Sequence, residues 1–274
     1  MPELIKRARS MAHAAGYLGS GWVNPVSPGI VRLYSTSSTA GGHGWCSGAM
    51  ITRGLVLTAA HCVFDTGELS RQQAHWYPYR DGALQVVPGD RISGGRGSYP
   101  FGVWNVHEVF APSGYTKQYG TNDDSLDWAI LQLEPDANGN YAGDLAGTFS
   151  ATWGQSITTS TQLWSAGYPA SGLFGQASYA FGENQFFCNS TPDDIGWKGV
   201  ARVLTYPCKG TGGISGGPVW ARTDDGSWTI VAVHNRGSRQ GDANLYIGKD
   251  AYNYWLDNRF GEFWTSTIAY IRSH

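Results

Sequence analysis

Residues 45–62 read WCSGAMITRGLVLTAAHC: two short apolar runs, Trp45 to Ile51 and Leu55 to Ala59, separated by Thr52, Arg53 and Gly54. Apolar runs of this length bounded by turn-forming residues are strands. Working outward, similar runs stand at Gly29 to Tyr34, Leu84 to Val87, Gly102 to His107 and Trp128 to Leu133. More follow at Gln162 to Ala166, Ala201 to Thr205, Gly217 to Trp220 and Trp228 to Val233. Between the two sets, EPDANGNYAGDLAG at 134–147 loses apolar periodicity and reads as a linker, so the chain divides into two β halves. Near the end, Trp264, Ile268 and Ile271 fall at helical spacing, which predicts one amphipathic helix over about 260–272.

Composition agrees with an all-β fold. Thirty-eight Gly and 12 Pro supply tight turns between short strands. Twelve Trp, 15 Tyr and 10 Phe exclude a disordered chain. A net charge of −2 builds in no general attraction to nucleic acid or anionic membrane, and no apolar run is long enough to span a bilayer. The Trp residues are scattered over both halves, which favours core packing over a carbohydrate-stacking face.

Four cysteines match neither CxxC nor Cys/His metal spacing. Local pairs are the natural reading, Cys46 with Cys62 and Cys188 with Cys208, each adding about 3 kcal/mol. That implies an oxidising compartment; four buried thiols in a cytosolic protein stay as the alternative. Met1 to Ser10, MPELIKRARS, has no apolar signal-peptide core, so the chain is expected to begin after a signal or at a pro-segment.

Chemistry concentrates at three strings. Thr58-Ala-Ala-His61-Cys62 sets a histidine just after a strand. Leu126-Asp127-Trp128 sets a carboxylate at the mouth of an apolar strand, where burial demands a partner. Gly212-Gly213-Ile214-Ser215-Gly216-Gly217-Pro218 holds one serine among four glycines, so its backbone turns tightly and a substrate can come close. Asn122, Asp123 and Asp124 read as a solvated loop rather than a calcium site, since the EF-hand spacing is missing. His13, His43, His75, His107 and His274 have no comparable context.

With these strings in the order His, Asp, Ser across two β halves, the sequence resembles the chymotrypsin-like serine endopeptidases, with their TAAHC box, DxAxL strand and GxSGGP loop. Ala166-Gly-Tyr-Pro169, Cys208 seven residues before Ser215, and Val233-His-Asn-Arg-Gly237 are more similar to the bacterial and fungal glutamyl endopeptidase branch. The resemblance implies two packed antiparallel β-barrels of chymotrypsin type with a C-terminal helix. The first barrel would span 26–140 and carry His61 and Asp127; the second would span 141–274 and carry Ser215. Residues 1–25 would form an N-terminal arm or residual pro-segment.

It also implies roles. Ser215 is the nucleophile, His61 the general base, Asp127 its orienting carboxylate, and the N–H groups of Gly213 and Ser215 the oxyanion donors. Ile214 stands where the animal enzymes carry an Asp before the nucleophile, so pairing of a new N-terminus with that carboxylate is excluded. His234 matches a strand histidine that binds acidic side chains in the glutamyl branch. With Thr211, Gly237 and Lys209 it forms the expected pocket for Glu or Asp before the scissile bond. Lys209 read as a solvated side chain is the alternative. The expectation is a secreted, monomeric hydrolase with protein or peptide substrates, no nucleic-acid or membrane partner, no cofactor and no metal. The long segment 65–120 reads as a surface insertion. Two other classes stand beside this one: an inactive homologue used as a binding module, disfavoured because every triad and oxyanion position is filled, and an esterase with the same first step. An α/β-hydrolase is excluded because there the histidine comes last.

Overall fold

The computed structural model describes residues 20–23, 27–36, 43–65, 75–76, 84–93, 96–112, 115, 126–168, 185–192, 194–198, 201–206, 213–223, 226–237, 251–256 and 258–274. Its strands, in chain order, are β1 (Ser20–Val23), β2 (Ile30–Thr36), β3 (His43–Met50), β4 (Leu55–Thr58), β5 (Phe64–Asp65), β6 (His75–Trp76), β7 (Leu84–Pro88), β8 (Arg91–Ser93), β9 (Arg96–Ser98), β10 (Trp104–Phe110), β11 (Ala129–Leu133), β12 (Ser150–Ala151), β13 (Leu163–Gly167), β14 (Gln185–Ser190), β15 (Asp194–Lys198), β16 (Ala201–Tyr206), β17 (Pro218–Arg222), β18 (Trp228–Gly237) and β19 (Ala251–Trp255). Helix α1 spans Ala142–Ala146 and α2 spans Asn258–Ser273.

The first half closes into a six-stranded barrel in the order β10, β11, β4, β3, β2, β7. Every pairing in it is antiparallel. Both faces of β4 and β11 are covered: the consecutive residues Val56 and Leu57, and Ile130 and Leu131, are almost wholly buried, which is why these strands read as unbroken apolar runs. The second half, with β1 from the N-terminal segment on its edge, forms a nine-stranded sheet in the order β1, β14, β13, β17, β18, β19, β16, β15, with β12 added parallel to β18. β13 packs on β2 and β3, which brings the two halves together at the strand leading into Tyr168.

Three expectations shift. Segment 65–120 is not one surface insertion, because β7 and β10 close the barrel, with the short β8–β9 hairpin between them. The stretch read as a linker carries α1, held by the Asp144 carboxylate on the Tyr141 N–H at 2.9 Å. The C-terminal helix is present, but its buried residues are Phe260, Gly261 and Thr267, while Trp264, Ile268 and Ile271 are half-buried.

Candidate active site

The register of the barrel places the first two functional side chains. β4 pairs with β11 so that Thr58 faces Ala129. His61, three residues past Thr58 in the 3-10 turn Ala60–Cys62, and Asp127, two residues before Ala129, therefore emerge at the same end. Asp127 is buried, its side chain 3% exposed against 28% for His61. A carboxylate so placed requires donors. Its Oδ1 accepts the backbone N–H of His61 at 2.8 Å, and Oδ2 lies 2.8 Å from His61 Nδ1. A third donor is the side-chain amide of Asn235, which bonds to Oδ2.

Asn235 was not singled out as a functional residue by sequence reasoning. It sits on β18, where the register with β19 shifts between His234 and Arg236. A bulge there re-aims a side chain that regular alternation would send elsewhere. The adjacent His234, already marked as functional, was the available signal.

Ser215 lies in the turn ahead of β17, and its hydroxyl donates to the Asn235 carbonyl at 3.2 Å. The turn is clamped from both halves. Ser215 O accepts the Ser47 N–H at 2.7 Å, Gly216 N–H donates to His234 O at 2.7 Å, and Gly217 N–H donates to Ile214 O at 2.8 Å. Gly216 has φ +81°, and a Cβ there would fall onto Thr58 Oγ1 and the Ser47 carbonyl, so the position admits only glycine. Cys62 Sγ packs between the two residues, 3.8 Å from His61 Nε2 and 3.6 Å from Ser215 O; a bonded sulfur carries no proton to donate. Among the described residues the N–H groups of Gly213 and Ser215 meet no acceptor, and Gly213 has φ +94°.

Cys46 and Cys62 are joined, as read from the sequence, across 16 residues. Cys46, His61 and Cys62 gather their donor atoms within 4.8 Å of one another, but bonded sulfurs are not thiolate ligands. Cys188 lies in β14, and Cys208 lies outside the described residues. Of the expected specificity residues, His234 is buried and Gly237 ends β18. Lys209 and Thr211 lie outside the described residues, as do His13, Asn122, Asp123 and Asp124. Ile214 is buried where the animal enzymes place an acid. His107 and His274 are exposed.

Residues 42–233 match the trypsin-like peptidase domain. The chain belongs to that family. This trypsin-like peptidase domain is 28% identical over 199 residues to a glutamyl endopeptidase of Bacillus licheniformis, covering 71% of this chain and 52% of the relative. It is 24% identical over 230 residues to a Bacillus subtilis protein named an extracellular metalloprotease, covering 83% and 62%. It thus spans roughly half to three-fifths of the length of those curated relatives. In structure it is similar to the protease Anisep of Arthrobacter nicotinovorans (TM-score 0.68, 21% identity, 91% of this chain and 99% of that one). It is also similar to a Glu endopeptidase solved with MPD (TM-score 0.63, 22% identity, 93% and 97%). Both likenesses are of fold.

Proposed function

We propose that this trypsin-like peptidase domain is a secreted serine endopeptidase in which Ser215, His61 and Asp127 act as a triad. The observation that carries the reading is the double grip of the buried Asp127 carboxylate on His61, backbone and ring, with the Ser215 hydroxyl bonded to Asn235, whose side chain bonds to that same carboxylate. The carboxylate accepts from Nδ1, so the ring keeps its proton there and offers the Nε2 lone pair. In the resting arrangement Ser215 donates to Asn235 O; reaction turns that proton toward Nε2.

Ser215 Oγ then bonds to the scissile carbonyl carbon as its proton passes to His61. The C–O π electrons move onto oxygen, where the N–H groups of Gly213 and Ser215 meet the developing charge. One such donor contributes about 3–4 kcal/mol to the transition state. Collapse breaks the C–N bond, and the His61 proton leaves with the amine. Water, deprotonated by His61, attacks the acyl carbon; the acyl C–Oγ bond then breaks, Ser215 Oγ takes the proton back from His61, and the acid product leaves.

An acidic side chain before the scissile bond is the preference we assign, supported by buried His234 at the edge of the nucleophile turn and by the glutamyl endopeptidase relative. Thr211, Gly237 and Lys209 would complete that pocket. The disulfide supports an oxidising, extracellular setting, and among the described residues no helix is long and apolar enough to cross a membrane.

Fluorophosphonate labelling read by intact mass tests the triad. One adduct at Ser215, absent in Ser215→Ala, is expected; an unlabelled parent chain overturns it. Cleavage profiling on peptides differing only in Glu, Gln, Arg or Phe before the scissile bond tests the pocket, and preference for Arg or Phe refutes it.

A further inference from the structure

The disulfide lies against the ring of His61. Cys46, Cys62 and His61 each bring one donor atom to within 4.8 Å of the others, and Cys62 Sγ is 3.8 Å from His61 Nε2. In a tetrahedral zinc site, with Zn–S about 2.3 Å and Zn–N about 2.0–2.1 Å, a sulfur and a nitrogen ligand stand about 3.6 Å apart. Two sulfurs on one zinc stand about 3.8 Å apart. The Cys62–His61 pair is therefore already near ligand spacing, and only the two sulfurs stand too close, because they are bonded.

The surroundings of a zinc site are also built. A histidine that binds zinc donates its other ring N–H to a carboxylate or carbonyl, which fixes the tautomer and raises ligand basicity. Here His61 Nδ1 faces Asp127 Oδ2 at 2.8 Å, and that buried carboxylate is braced in turn by the Asn235 amide. The backbone that carries the three donors is held by bonds other than the disulfide. Cys46 sits opposite Leu33 in the β2–β3 ladder, the Cys62 N–H donates to Ala59 O at 3.1 Å, and the His61 N–H donates to Asp127 Oδ1 at 2.8 Å. Cys62 is buried, but Cys46 and His61 are half-exposed, so a reductant and a metal ion can reach the group.

We propose that Cys46, Cys62 and His61 form a redox-gated zinc site that silences the enzyme. An external dithiol opens it: its two sulfurs join in a disulfide, and Cys46 and Cys62 take up the two electrons and two protons released. The freed sulfurs part, Zn²⁺ displaces the thiol protons, and it binds both thiolates and Nε2, with water in the fourth position. Two thiolates and an imidazole are a donor set for zinc rather than for calcium or magnesium. With its Nε2 lone pair on the metal, His61 cannot take the Ser215 proton. The silencing rests on the triad reading; the site itself does not.

The test reduces the full chain with a phosphine, which becomes the phosphine oxide, and titrates it with Co²⁺ as the spectroscopic probe. We expect a tetrahedral thiolate–cobalt spectrum, saturating at one ion per chain over the signal of Cys46→Ala/Cys62→Ala, absent from the oxidised chain and lost when Zn²⁺ is added. His61→Ala should weaken that cobalt binding about tenfold or more, since loss of an outer partner alone costs that much. Fluorophosphonate labelling of Ser215 in the reduced chain should fall about tenfold with one equivalent of Zn²⁺ and return with EDTA, while the oxidised chain keeps its metal-free rate. Should the double variant fail to fold, Cys188→Ala/Cys208→Ala takes its place: a cobalt spectrum kept whole supports the site, and a lost one overturns it. No spectrum beyond that of the double variant, or one that His61→Ala leaves unchanged, overturns the site. Labelling lost on reduction before any metal is added also overturns it, because the folded frame then does not outlast the bond. A zinc-loaded chain that still labels at the metal-free rate overturns the silencing. An oxidised parent that never labels overturns the triad, and the cobalt spectrum still decides the site.

Discussion

At Asn235 two contacts to the site come from a single residue: the side-chain amide donates to Asp127 Oδ2, and the carbonyl receives the Ser215 hydroxyl. A neutral donor there satisfies the buried carboxylate without competing for the imidazolium. Asn235→Leu removes that donor and leaves the buried carboxylate one partner short, a loss of about 1–3 kcal/mol. The rate of Ser215 labelling at neutral pH is therefore expected to fall about tenfold. An unchanged rate would show that Asn235 does not support the Asp127–His61 pair. His61, Asp127 and Ser215 were legible because each sits in a short string whose neighbours advertise it: a strand end, a strand mouth, a glycine turn. Asn235 was not, because its place beside Asp127, 108 residues earlier in the chain, comes from a bulge in β18. Spacing along the chain carries no signal for a contact of that kind.

Elements follow the same division. β2, β4, β11 and β18 stand out as apolar runs because both of their faces, or one of them, meet the core. β14 (QFFCNS), β15 (DIGWK) and β19 (AYNYW) mix polar and aromatic residues, and only their partners make them strands. β1 pairs along β14 from Ser20 opposite Cys188 to Val23 opposite Gln185, a register invisible in SGWV itself. For α2 the periodicity was readable but the depth was not. The helix meets the body at its first turn, where Phe260 is wholly buried edge-on to Trp128 at 6.0 Å and to Trp153 at 6.2 Å. Gly261 lets Trp153 come in where a Cβ would collide with the indole. Phe260→Ala opens a cavity beside Trp128, the residue after Asp127. It is expected to cost about 3–5 kcal/mol and to lower the calorimetric Tm by about 10 °C. A shift under about 2 °C would show that α2 is not anchored by this ring.

Across the whole molecule, a buried polar cluster joins the barrel to the second sheet. Arg32 and Asp90, both without exposed surface, pair at 3.0 Å within the barrel half. Tyr34 donates to Asp90 at 2.6 Å, and the Arg32 guanidinium stands 4.5 Å from the ring centre of Tyr168 at the end of β13. Tyr168 donates to Ile30 O at 3.3 Å and accepts from Gln185 Nε2 at 2.9 Å; Gln185 in turn exchanges bonds with the backbone of Ser27. Each hydroxyl is needed in its protonated form. Burial pushes both phenols well above their ordinary value of 10.0; for Tyr34 the nearby Arg32 charge opposes the rise and the bond to Asp90 adds to it. For Tyr168, Gln185 and Arg32 oppose the rise. A folded-state pKa above the unfolded one means that the native form holds its proton more tightly. The stability so gained is complete below pH 10 and drains away as pH climbs from there toward the folded-state value. Urea unfolding midpoints measured from pH 7 to 11.5 are expected to hold level with respect to these groups and then fall above pH 10. In Tyr34→Phe the unfolding free energy at neutral pH drops by the lost bond to Asp90, about 1–3 kcal/mol, which lowers the midpoint, while the alkaline decline becomes shallower because one of the two titrating groups is gone. Lysines also titrate in this range, so the difference between parent and variant is the quantity to read. Parallel curves would mean that Tyr34 releases its proton equally in the folded and unfolded chain.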